Sequence, residues 1–109
     1  MENKTKAIDT PFEKNDAYGS LSMPTYNTAA YEFNTAVDMA DAFTGRVIAP
    51  DYSRVMNPTV MYLEDKVKAL TNASNVVAFS SGMAAISNTM LALSATGKNI
   101  VTSRHMFGN

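Results

Sequence analysis

The sequence predicts an α/β fold with a parallel or mixed sheet, on three observations. Two helix-period apolar stripes, over residues 58–71 and 82–95, alternate with two short β-branched runs at 75–79 and 100–102. Each stripe opens on a helix start signal, Asn57-Pro58 in the first case and Ser80-Ser81-Gly82 in the second. Polar or glycine turns separate the four segments, as short connections between successive layers require.

Residues 1–22 mix charges with Thr10-Pro11 and Tyr18-Gly19-Ser20 and show no period, so they are expected to form an arm or loop rather than a packed element. Met23-Pro24-Thr25-Tyr26 through Tyr31-Glu32-Phe33 is polar with interleaved aromatics, and Pro24 argues against a central strand. No Lys or Arg lies between Lys14 and Arg46, so these aromatics are expected to anchor the arm on another surface rather than stack on nucleic-acid bases.

Asn34 or Thr35 then caps a short helix. Val37, Ala40 and Phe43 share one face, and Gly45 stands where a C-terminal cap belongs. Residues 46–51 read as loop. Asn57 as cap and Pro58 at the first helical position start the helix 58–71, with Val60, Leu63, Val67 and Leu70 in one stripe. Glu64 and Lys68 are placed for an i, i+4 pair. Residues 75–79 read as a buried strand, and Met83, Ile86, Met90 and Leu93 make the stripe of a helix running to about Ala95.

The turn between that strand and helix concentrates the chemistry. Ser80 or Ser81 can cap, and Gly82 removes a side chain where the backbone must approach something closely. A helix start offers unpaired N–H groups and a positive dipole end, a seat for phosphate. Plain capping is the commoner meaning of such a turn, and neither the Walker spacing nor Gly-x-Gly-x-x-Gly occurs.

Composition narrows the remaining classes. A 46% apolar chain of 109 residues can supply a core. Charged residues make up 17% and the net charge is −1, so no general attraction to nucleic acid or anionic membrane is expected. No apolar run reaches the length of a membrane span, and residues 1–6 lack the apolar centre of a signal peptide. Cysteine is absent and His105 is the single histidine, which excludes thiol chemistry and argues against a histidine zinc site or a Ser-His-Asp triad within the chain. His105 reads as an ordinary loop residue, and a reducing, cytoplasmic setting is expected.

Taken in order, Tyr52-Ser53-Arg54, Asn57-Pro58-Thr59 and Ser80-Ser81-Gly82-Met83-Ala84-Ala85 resemble the N-terminal part of the Cys/Met-metabolism family of pyridoxal-phosphate enzymes. The arm, with Met23-Pro24-Thr25-Tyr26 and Tyr31-Glu32-Phe33, is similar to that family's as well, and the likeness runs from about Ser22 to Asn109. It implies a fold-type I domain, with residues 1–45 as arm and short helix and 46–109 as the beginning of the cofactor-binding α/β domain. It further implies that Gly82 and Met83, after Ser81, hold the phosphate of pyridoxal 5'-phosphate through backbone N–H groups. The resemblance also implies that Tyr52 and Arg54 reach the phosphate of a neighbouring subunit's cofactor in a homodimer or homotetramer. A guanidinium forks onto phosphate oxygens and a phenol adds a further hydrogen bond. Met106, Phe107 and Gly108 stand where the family commonly has Leu-Tyr-Gly; Phe107 keeps a ring to stack on the cofactor but lacks the hydroxyl a proton transfer needs.

The resemblance also implies a Schiff-base lysine and a supporting aspartate beyond these residues, because Lys66, Lys68 and Lys98 are not in the family's lysine context. The chain is therefore expected to be an N-terminal fragment, without turnover alone. The implied activity is that of a lyase or γ-replacement transferase on a small amino-acid substrate. O-acetylhomoserine sulfhydrylase chemistry leads, and methionine γ-lyase and cystathionine γ-synthase or lyase chemistry are alternatives. A non-catalytic oligomerisation piece and a simple anion-binding module are the readings from other classes.

Overall fold

The computed structural model describes residues 3–14, 16–94 and 97–105, in two compact units, 1–78 and 79–109. The first unit holds α1 (Asn3–Ile8), α2 (Ala36–Phe43) and α3 (Pro58–Thr71); the second holds α4 (Gly82–Leu93).

α3 begins and ends where its stripe does. Asn57, in extended backbone, takes the Thr59 N–H on its side-chain oxygen at 2.9 Å, and Pro58 occupies the first turn, where its missing N–H costs nothing. At the other end Asn72 adopts the left-handed conformation (φ 56°), a role asparagine tolerates better than most residues. α2 is capped by Thr35 rather than Asn34: the Thr35 hydroxyl accepts the Asp38 N–H at 3.1 Å and donates to the Asp38 carboxylate at 2.8 Å. Gly45, at φ 70°, donates to Ala42 O while Arg46 N–H reaches Asp41 O, the paired bonds of a Schellman ending.

Residues 3–8 depart from the expectation of an unpacked arm. They form α1, and α1 against α3 is the one helix pair in contact among the described residues. No apolar period announces so short a helix; what holds it is a set of contacts distant in sequence. Thr10, only 7% exposed, donates from its hydroxyl to Lys6 O at 2.8 Å, closing the end of α1. The Tyr62 hydroxyl of α3 then donates to Thr10 O at 3.1 Å. Phe12 meets the Tyr62 ring edge-on at 5.7 Å, and the Lys66 ammonium stands 4.7 Å over the same ring.

The expected strands are not formed among the described residues. Residues 75–79 and 100–102 carry no ladder, and the single β-type contact is an isolated antiparallel bridge between Ala30 and Tyr52. β-Branched composition marks a segment suited to a sheet, but a strand exists only through a paired neighbour. The Glu64–Lys68 pair is likewise replaced. The Glu64 carboxylate accepts the Ala78 N–H at 2.7 Å, tying α3 to the segment that follows, and the one ion pair among the described residues is Arg46–Asp41 at 2.8 Å. α4 stops at Leu93 rather than near Ala95, because Ser94 leaves helical backbone (φ −95°, ψ 122°).

No apolar side chain among the described residues is fully buried. Val60, Leu63 and Val67 of α3 and Met83, Met90 and Leu93 of α4 are exposed along the stripes that periodicity identified.

Removing the Tyr62 hydroxyl isolates the latch on α1. Tyr62→Phe keeps the ring contact but loses the bond to Thr10 O, and is expected to cost about 1 kcal/mol locally. Amide hydrogen exchange over residues 5–10 checks this: it speeds up in the variant, with α3 itself unchanged.

Candidate functional site

Tyr52 and Arg54 are brought together by a turn. Tyr52 O accepts N–H groups from both Val55 (2.8 Å) and Met56 (2.9 Å), folding residues 52–56 back and setting the Arg54 guanidinium 5.2 Å over the Tyr52 ring. Both side chains are exposed, Tyr52 by 43%. The guanidinium makes no ion pair among the described residues, so its donors face outward with charge to offer.

Beneath the pair lies a hydrogen-bonded hub at Asn57. Its amide nitrogen donates to Ser53 Oγ (2.9 Å), Tyr26 O (3.1 Å) and the Tyr31 hydroxyl (3.2 Å), while its oxygen caps α3. The Ser53 hydroxyl donates to Thr28 O, so of the two hydroxyls 3.3 Å apart, that of Tyr31 is the donor to Ser53 Oγ. Thr59 contributes from α3, its Oγ1 accepting the Tyr26 N–H at 2.8 Å. Backbone bonds complete the seam: Tyr31 N–H to Asp51 O at 3.2 Å and Ser53 N–H to Ala29 O at 2.8 Å. The aromatic arm is thus anchored on residues 51–59.

Sequence reasoning offered Tyr52 and Arg54 as candidates and gave Ser53, Tyr31 and Thr59 no role of their own. The available signal was Asn57 itself: capping uses only its oxygen, and an NH2 group sits beside an arm rich in acceptors.

The second unit supplies the other candidates. Ser81 is the N-cap of α4, its Oγ accepting the Ala84 N–H at 3.1 Å, and Ser81 O accepts the Ala85 N–H at 3.1 Å. Those two bonds leave the N–H groups of Gly82 and Met83 as the donors at this helix start that capping does not use. A Cβ built on Gly82 meets no atom within 4 Å, and its φ is not in the left-handed region. Glycine here answers no need of the chain's own packing or backbone, and it leaves the approach to both donors clear. Met83 is 54% exposed. Two free N–H groups at the positive end of a twelve-residue helix have the chemistry to receive a phosphate.

A cleft of about 590 Å³ in the first unit, with Phe12, Tyr26, Tyr31 and Tyr62 in its walls, includes neither Tyr52 nor Arg54, and no Lys or Arg lines it. It is apolar in character and offers no charge for an anion. His105 is exposed and contributes only a backbone N–H to Ser103 Oγ at 3.1 Å. Met106, Phe107 and Gly108 lie outside the described residues. No helix among the described residues is long and apolar enough to cross a membrane, and no group of three or more His, Cys, Asp or Glu among them could hold a metal ion.

Known proteins resemble the chain over nearly its whole length. The family model described as Cys/Met metabolism PLP-dependent enzyme matches residues 4–109. The chain is 39% identical over 105 residues to an O-acetyl-L-homoserine sulfhydrylase of Corynebacterium glutamicum, covering 96% of this chain and 24% of that protein. It is 40% identical over 84 residues to an O-succinylhomoserine sulfhydrylase of Pseudomonas aeruginosa, covering 77% of this chain and 21% of the relative. To an L-methionine gamma-lyase of Pseudomonas deceptionensis it is 36% identical over 104 residues, 95% of this chain and 26% of the relative. The chain therefore spans about a quarter of the length of the curated relatives it matches. The motifs of the two units and a match over nearly the whole chain agree: it belongs to the pyridoxal-phosphate-dependent enzymes of Cys/Met metabolism.

Proposed function

We propose that this chain forms the N-terminal part of a pyridoxal-phosphate enzyme of sulfur amino-acid metabolism, and that its two exposed donor sets hold the cofactor's phosphate. The observation that carries the reading is the start of α4, where Gly82 and Met83 keep unused N–H donors behind an open approach while Ser81 fulfils the cap. Pyridoxal phosphate, when bound, supplies an electron sink for charge developing on the amino-acid carbons.

The roles of this chain's residues follow from their chemistry. Ser81 fixes the helix start, Gly82 and Met83 donate backbone hydrogen bonds to phosphate oxygens, and the dipole of α4 favours the anion. Tyr52 and Arg54 add a phenolic donor and a guanidinium fork from a neighbouring subunit of a homodimer or homotetramer. Phe107 stacks a ring on the cofactor. Residues 75–79 and 100–102 become strands of the fold-type I sheet when paired in the assembled domain, and the exposed stripes of α3 and α4 are the faces such a domain covers. The setting is cytoplasmic. Lys66 is occupied over the Tyr62 ring and is given no part in holding the cofactor.

The reaction favoured is γ-replacement on an O-acylated homoserine, because two of the relatives are sulfhydrylases of such esters. γ-Elimination from methionine is the second reading, carried by the gamma-lyase of similar identity. The whole protein supplied with O-acetylhomoserine and sulfide is expected to form homocysteine as acetate leaves. Thiol release from methionine, with no homocysteine formed from the ester and sulfide, identifies the second reading instead.

Two variants test the phosphate contacts. Arg54→Ala in the whole protein is expected to weaken pyridoxal-phosphate binding by about 2 kcal/mol, the scale of a lost charge-assisted bond, and to leave pyridoxal, which has no phosphate, unaffected. Equilibrium dialysis of both ligands decides this. At the other donor set, Gly82→Ala retains or raises α4 helicity by circular dichroism but lowers affinity for the phosphorylated ligand. Ser81→Ala, by contrast, destabilises α4 itself by about 1 kcal/mol.

A further inference from the structure

We infer that Asn57 is a positioning residue: through Ser53 and Tyr31 it sets the place from which Tyr52 and Arg54 meet the cofactor's phosphate. This inference rests on the reading that those two side chains face a phosphate.

Arg54 is exposed, and its one contact given by the structure is with the Tyr52 ring. A long exposed side chain keeps much rotamer freedom, so the accuracy of its delivery has to come from the backbone under it. That backbone is held at several points. Ser53 N–H donates to Ala29 O, Asp51 O accepts from Tyr31, and Tyr52 O takes two N–H groups from its own turn. The Ser53 side chain, between the two functional residues, bonds to Thr28 O and accepts from Asn57.

Capping does not explain why residue 57 is asparagine. Its oxygen alone caps α3, and aspartate or serine would do that equally well. The NH2 half is what remains, with two N–H bonds serving three acceptors: Ser53 Oγ, the Tyr31 hydroxyl and Tyr26 O. One amide thus joins the start of α3, the aromatic arm and the turn that carries Arg54. Half-buried, it is placed to make the three move as one body.

Asn57→Asp separates the two halves of the side chain, because the carboxylate still caps α3 but donates nothing. Made in the whole protein, it is expected to lower affinity for pyridoxal phosphate about tenfold, the usual size for losing an outer partner that orients a ligating group. Affinity for pyridoxal should not change, and in an Arg54→Ala background the substitution should add no further loss. Ser53→Ala should reproduce the effect and Ser53→Thr should restore affinity. Without any cofactor, the Ser53 amide should exchange faster in Asn57→Asp while α3 helicity stays the same. Unchanged cofactor affinity in both Asn57→Asp and Ser53→Ala overturns the inference. So does an equal loss for pyridoxal, or a loss that adds fully to that of Arg54→Ala. If Asn57→Asp fails to fold, the Ser53 pair decides, since it leaves the cap intact. Arg54→Ala with undiminished affinity overturns the reading of Arg54 itself, and this inference falls with it.

Discussion

One side-chain amide ties together three segments of the first unit. Asn57 is the point where a helix start, an aromatic arm and the turn at 52–56 share hydrogen bonds, beside the backbone bonds that join the arm to residues 51–53. The arm has no helix or ladder of its own beyond the Ala30–Tyr52 bridge. The turn at 52–56 closes on a single carbonyl. A buried apolar cluster would normally supply the common reference for such segments, but no apolar residue among those described is fully buried. Directional bonds between half-buried groups therefore carry the alignment. They do so at modest net energy, about 1 kcal/mol each, with a larger penalty when one partner is removed and the other is left unsatisfied.

The three longer helices begin on side-chain caps, Thr35, Asn57 and Ser81, and the caps differ in what they leave over. Thr35 is closed by the reciprocal bond with Asp38, so the start of α2 has an acid already in place. Asn57 is followed by proline, which removes one donor, and its spare NH2 turns outward to the arm. Only Ser81 is followed by glycine, with no acid in the first turn of its helix and nothing within reach of a Cβ at that glycine. Local sequence thus distinguishes a helix start closed by its own acid, one joined to the arm, and one whose first N–H groups capping leaves unused.

Much of this was legible in the residues. The bounds of α3 follow from Asn57-Pro58 and the stripe ending at Leu70, and the cap and glycine ending of α2 were visible because caps act within four residues. What escaped reading depends on groups far apart in sequence. α1 needs Tyr62, 52 residues from its partner Thr10, and Ser53 gains a role only when Asn57 and Tyr31 converge on it. Glu64 illustrates the competition: periodicity offers Lys68 as a partner, but an exposed helix pair is worth only a few tenths of a kcal/mol. The backbone N–H of Ala78 takes the carboxylate instead, a charge-assisted bond that settles a donor with no ladder partner.

The apolar stripes carry the same argument to the scale of the domain. Periodicity correctly identifies which residues share a face, but it says nothing of what the face meets. Helices of twelve and fourteen residues are marginal in water on propensity alone, and most helical stability in proteins comes from packing an apolar face. α3 and α4 have well-formed ends and open faces, and the segments at 75–79 and 100–102 have strand composition without a ladder. A sheet onto which the helices pack and within which the segments pair would meet the needs of all four features. Membership of a family with fold-type I architecture calls for such a sheet. The proposed phosphate donors, Gly82 and Met83, open α4 just past segment 75–79, with Ser80 and Ser81 between. Pairing of residues 75–79 in such a sheet would hold the backbone that leads into the cap of α4.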